Sequence, residues 1–101
     1  MEVEHAKAVK EILSFYGSRR GLEPETETVC VFDDTSHNYL LIFLSWDDGV
    51  RVSQTMVHIR IKNGKIIFEH DMTDLEIDRQ LLEAGIPFAD LVLHEEAPNA
   101  R

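Results

Sequence analysis

Between Val57 and Leu93 the chain reads VHIRIKNGKIIFEHDMTDLEIDRQLLEAGIPFADLVL, and nearly every local signal in that run restricts the backbone. Asn63-Gly64 separates two apolar runs, and a two-residue loop with positive φ at both positions suits Asn and Gly best, so a hairpin is predicted. After the second strand, Thr73-Asp74-Leu75-Glu76 has the spacing of a capping box, with Met72 and Ile77 placed as a hydrophobic staple. A helix is therefore expected over 74–84, ended by Gly85 and kept from resuming by Pro87. A closing extended piece follows at 91–94. The run fixes an architecture but contains no catalytic motif.

Upstream, Val3, Ala6, Val9, Leu13 and Tyr16 recur at helical spacing and predict a first helix from about Val3 to Tyr16, with Gly17 as a left-handed stop. Two strands follow, 29–32 and 38–46, separated by the loop chemistry of Asp33-Asp34-Thr35-Ser36. In the second, Tyr39, Leu41 and Phe43 alternate with Leu40, Ile42, Leu44 and Trp46, so both of its faces are apolar. Two helices can cover only one face of so small a sheet, which leaves the other for a second protein chain. Asp48-Gly49 predicts another tight turn into a long strand, 50–62. Within that strand Val50 and Val52 are out of phase with Val57, Ile59 and Ile61, so a bulge or a bend is expected near Gln54-Thr55. The fold class is α+β, with an N-terminal helix, a four-stranded antiparallel meander, a C-terminal helix and a short final strand.

At 101 residues the chain is expected to form one domain. Its single cysteine, Cys30, has no internal disulfide partner, and no leader or apolar run of ~18 residues is seen, so a cytoplasmic protein without a membrane segment is expected. Nineteen acids against ten Lys and Arg give a net charge of −9. Such a surface repels phosphate backbones, and direct nucleic-acid binding is not expected as a general property.

Several elements taken together carry a resemblance. They are Tyr39-Leu40-Leu41, Ser45-Trp46-Asp47, Arg51-Val52, Val57-His58-Ile59, Lys62-Asn63-Gly64-Lys65-Ile66, Asp71-Met72-Thr73, Gly85-Ile86-Pro87 and Asp90-Leu91-Val92-Leu93. In this order and spacing they resemble the XisI-like family of fdxN element excision controlling factors, associated with cyanobacteria and with excision of a DNA element interrupting a nitrogen-fixation gene. Asp74 stands where the family often has Glu, and relatives usually continue beyond Pro98 into an aromatic tail. The resemblance implies an accessory role in DNA rearrangement, beside a XisH-like nuclease-related protein and a recombinase, with no cofactor and no catalysis of its own.

On that reading the partner interface is expected at Tyr39, Leu41, Phe43, Trp46 and Arg51, with 94–101 as a lesser candidate, in a homo-oligomer or hetero-complex. Trp46 is the anchor, because aromatic residues dominate interface energetics. Three basic residues, Arg60, Lys62 and Lys65, form an alternative nucleic-acid patch, although edge hairpins also carry such charges to discourage strand pairing. No metal site is expected. The rival reading, a small metal-dependent nuclease, would recruit Asp33, Asp47, His58, Glu69 and Asp71 around Mg²⁺, with Glu69 and Asp71 on one strand face by their spacing. His37 and His70 are further ligands on paper, but their spacing matches no metal motif. Cys30, among Val29, Val31 and Phe32, is expected to be a buried, inert thiol.

Overall fold

The computed structural model describes residues 2–17 and 26–94. Helix α1 (Glu2–Gly17) leads into strands β1 (Glu27–Asp33), β2 (Asn38–Asp47), β3 (Val50–Lys62) and β4 (Lys65–Asp71). Helix α2 (Ile77–Glu83), a 3₁₀ turn (Phe88–Asp90) and strand β5 (Leu91–Val92) complete it. The strands form one sheet in the order β1-β2-β3-β4-β5. The first four pair antiparallel as a meander, and β5 joins β4 in parallel.

Both tight turns form as their sequences require. Asp48 and Gly49 have φ of 54° and 80°, Asn63 and Gly64 have 55° and 75°, the pair of positive angles that matches the twist of the flanking strands. Gly85, at φ 101°, ends α2. There the amide of Ile86 donates to the Leu81 carbonyl and that of Gly85 to Leu82, which is the Schellman arrangement.

Two expectations about helix ends fail. Gly17 is the last helical residue rather than a left-handed stop, and what asks for glycine there is its backbone's closeness to Cys30, since a side chain would collide with the Cys30 Sγ. The capping box at Thr73 and Glu76 does not form. Asp71 accepts hydrogen bonds from the Thr73 amide (2.8 Å) and hydroxyl (2.7 Å), and the Thr73 Oγ1 accepts from Leu75, so the predicted first turn is spent on a loop. Helix α2 starts at Ile77, preceded by Glu76 in the left-handed region at φ 56° without a side-chain cap.

The out-of-phase valines of β3 are reconciled by a bulge. Leu41 pairs with Val57 and Ile42 with Thr55, which leaves Met56 as the extra residue and returns Val50 and Val52 to the face of Val57 and Ile59. A second bulge leaves Glu69 of β4 unpaired, between the His58 to His70 and Ile59 to Phe68 pairs.

Both helices lie on the same face of the sheet. Val9 and Leu13 of α1, with Ile77 and Leu81 of α2, pack on Tyr39, Leu41, Val57, Ile59 and Ile66 in one buried cluster. Gln80 ties the helices together, its Nε2 donating to the Tyr16 hydroxyl (2.8 Å) and to the Leu75 carbonyl (2.9 Å). The central strands outrun their neighbours. Pairing of β1 ends at Leu44 and pairing of β4 ends at Val57, so among the described residues the rest of β2 and β3 form a two-stranded arm closed by Asp48-Gly49.

Candidate functional site

The sheet face opposite the helices is covered by no described element. Directly opposed residues of a sheet share a face, so the pairings Val29 to Ile42, Val31 to Leu40 and Glu27 to Leu44 place Val29, Val31, Leu40, Ile42 and Leu44 together on that side. Trp46 continues the row and is 52 % exposed, Val31 is 42 % exposed, and the others are half-buried. The Arg51 guanidinium stacks over the Trp46 ring at 4.8 Å, a cation–π contact between paired residues at the arm's end of the face. At the opposite end, Asn38, Arg60, Ile67 and Val92 run across β2 to β5.

This geometry divides the residues expected at the interface. Tyr39 and Leu41 are 0 % and 3 % exposed beneath α1, and so present no surface to a partner. Phe43 shares their face and is half-buried. Only Trp46 and Arg51 lie on the open side. Alternation along β2 separated the two sets, but the sequence did not say which one the helices cover, since both are apolar.

Tyr39 has a structural role instead. Its hydroxyl donates to Asp34 (2.8 Å), which also accepts from Lys10 of α1 (2.8 Å). Burial, then the bond to Asp34, raises the Tyr39 phenol well above its ordinary value, while the bonds from Lys10 and Tyr39 hold the Asp34 carboxyl below its own.

The carboxylates of the nuclease reading do not converge. Asp33 caps its own loop, accepting from the Ser36 hydroxyl and the Thr35 and Ser36 amides, which lower its pKa in that order of hydroxyl before amides. Asp47 stands at the far end of β2, beside the Asp48-Gly49 turn. The β4 bulge overturns the expectation that Glu69 and Asp71 share a face. Asp71 pairs with Val57 of the covered side, while Glu69 reaches Arg60 at 3.4 Å. His58 Nε2 donates to Asn38 Oδ1 (2.8 Å), an acceptor oriented by the Asn38 amide bonds to Ser36. His70 is its cross-strand neighbour. His37 lies apart, in a groove of about 690 Å³ beside α1. Among the described residues no three of His, Cys, Asp and Glu are placed to hold a metal ion.

The basic patch is partly committed to other bonds. Arg60 pairs with Glu69, and Lys65 Nζ donates to the Ala89 carbonyl (2.9 Å) with Asp90 at 3.8 Å, while Lys62 is exposed. Cys30 is half-buried, its Sγ donating to the Leu13 carbonyl (3.1 Å), and burial pushes its thiol up, away from reactivity. The tail candidates from 95 onward lie outside the described residues.

One partly buried polar pair escaped the sequence reading. His5 of α1, 5 % exposed, donates from Nε2 to Asp90 Oδ2 at 3.0 Å, and Asp90 also faces Lys65. The pair fastens the first helix to the segment before β5. The available signal was that His5 falls on the apolar stripe it shares with Val9 and Leu13.

Among the described residues, no helix is long and apolar enough to cross a membrane. No curated protein matches the chain. Solved structures do. A XisI-like protein from Anabaena variabilis, solved at 1.30 Å, is similar with a TM-score of 0.83 and 28 % identity, over 95 % of this chain and 88 % of that one. The fdxN element excision controlling factor XisI from Anabaena variabilis, at 2.19 Å, is similar with a TM-score of 0.74 and 28 % identity, over 95 % and 93 %. The model of the XisI protein family matches residues 2–101, and the chain belongs to that family.

Proposed function

We propose that this protein is a non-enzymatic accessory factor in excision of a DNA element, acting by association with a XisH-like, nuclease-related partner that it controls or stabilises. The observation that carries this reading is the open apolar sheet face of Val31, Leu40, Ile42, Leu44 and Trp46. Burying such a row against a partner stabilises the complex by about 25 cal/mol per Å² of apolar area removed from water, less the cost of ordering both chains. Trp46, held by Arg51, serves as the anchor, and the negative net charge suits a basic partner. Named as a controlling factor, the similar Anabaena protein supports regulation over catalysis.

The test is light scattering after size exclusion, with this chain alone and mixed with a XisH-like protein from the same source. A stoichiometric complex that Ile42→Asp and Trp46→Ala weaken, with folding intact by circular dichroism, is the expected result. Absence of any complex, or one indifferent to both substitutions, would sink the proposal.

A further inference from the structure

Charge on the open sheet face is arranged strand by strand. Pairing sets Asp33, Asn38 and Arg60 side by side at one end of β1, β2 and β3, and Glu27, Leu44 and Ser53 side by side towards the other, with Trp46 and Arg51 one step beyond. The acids of this area therefore stand on β1, at both of its ends, and the arginines stand on β3. Between them run Leu40, Ile42 and Leu44 of β2. With histidine counted neutral, two acids and two arginines leave the area without net charge, in a chain whose net charge is −9. Two copies can approach here without the repulsion that the rest of their surfaces exerts.

Such a face complements itself in one orientation. If two sheets pack face to face about a two-fold axis lying along β2, β1 of each copy faces β3 of the other, and levels along the strands are kept. Asp33 then meets Arg60 of the second copy, and Glu27 comes within reach of its Arg51. Leu40, Ile42, Leu44 and Trp46 meet their own counterparts on the axis. Arg60 already reaches Glu69 at 3.4 Å, but a guanidinium has five donors and can serve a second carboxylate. An axis laid across the strands would instead set β1 on β1 and β3 on β3, opposing acid to acid and arginine to arginine.

The dimensions allow it. Sheets in a sandwich lie about 10 Å apart with strand directions within about 30°, and side chains of both inner faces fill the gap. Three strands of the length of β1, seven residues, cover roughly 350 Å² in projection, and the relief of their side chains raises the burial to roughly 500 Å² per copy. About 1,000 Å² in total is the lower end for a specific interface, so the association is reversible.

We propose that this face is covered by the same face of a second copy, in a two-fold sandwich dimer whose axis runs along β2. A XisH-like protein bound to the face would displace the copy; that exclusion rests on the reading above, while the dimer itself does not.

The test uses the chain alone. In light scattering over a concentration series, the mass should rise from 11.6 kDa to twice that value. Ile42→Asp sets two carboxylates together on the axis and should raise the dissociation constant about tenfold or more, with the circular dichroism spectrum unchanged. In dimers mixed from isotopically labelled and unlabelled chains, nuclear Overhauser effects between methyl groups should join Val29 of one copy to Thr55 of the other, and Ile42 to Ile42. A wild type that is monomeric throughout, contacts from Val29 to Val29, or a dimer that Ile42→Asp leaves intact would each overturn the proposal. Should Ile42→Asp fail to fold, wild-type mass and the methyl contacts decide the matter. A monomer in this experiment leaves association with a XisH-like protein standing, and a dimer that forms no complex with that protein refutes only the latter.

Discussion

Replacing Gly17 by alanine sets two effects of opposite sign against each other. A helical alanine is favoured over glycine by about 0.8–1.0 kcal/mol in a helix interior, and by less at a terminal residue such as this one. Against that, the added Cβ would collide with the Cys30 Sγ, which has little freedom to retreat because it is bonded to the Leu13 carbonyl at 3.1 Å. Forcing extra volume into a packed contact costs about 1–3 kcal/mol, and with the sulfur tethered the upper half of that range applies. The expected net effect is a loss of about 1–2 kcal/mol, or roughly 4–16 °C in Tm for a domain of this size. In a Cys30→Ala background the sulfur is gone. The nearest remaining atoms, the residue-30 Cβ and amide nitrogen, lie at 3.4 Å, so Gly17→Ala should become neutral or slightly stabilising. Urea unfolding followed by circular dichroism on the four proteins of this cycle measures the coupling directly. If Gly17→Ala stabilises the wild type, or costs the same with and without the sulfur, the steric account of Gly17 is wrong.

Three further outcomes are expected. Trp46→Ala should cost about 1 kcal/mol or less of stability, against about 3–5 kcal/mol for a buried aromatic residue, while weakening the complex with a XisH-like protein; thermal melts and binding titrations separate the two. Leu81→Ala, at a fully buried position shared by the core cluster, should cost about 2–5 kcal/mol in urea unfolding, and a smaller loss would mean that the site collapses around the cavity. Asp34 has a carboxyl depressed by Lys10 and Tyr39, so its contribution is present above the unfolded value near 3.9 and is lost as the pH falls through the folded one. Asp34→Asn should therefore make the acid limb of the stability profile shallower, and a limb of unchanged slope would show that the network contributes nothing.

Local chemistry along this chain was legible wherever one conformation had no competitor. Asn63-Gly64 and Asp48-Gly49 had to turn, because few other pairs accept two positive φ angles, and Gly85 had to end α2 for the same reason. The irregularity in β3 was also legible, since the phase of Val50 and Val52 against Val57 called for a bulge or a bend near Gln54-Thr55, and the structure takes the bulge, at Met56. The capping box was not, because Asp71, two residues upstream, competes for the Thr73 amide and hydroxyl, and the same residues suit a loop as well as a helix start. Gly17 read as a stop signal, but its reason is the proximity of Cys30, thirteen residues along the chain and invisible to any local pattern.

The decisive choice belonged to the tertiary structure. Tyr39 and Leu41 were indistinguishable from Leu40 and Ile42 by hydrophobicity, and only the docking of α1 and α2 on one side buried the first pair and left the second as a surface. Strand lengths decided the rest, since among the described residues the two-stranded β2–β3 arm begins where β1 and β4 stop pairing. The sequence by itself determined turns, strands and the need for a covered face; which face is covered, and where the arm begins, depends on contacts between residues far apart in the chain.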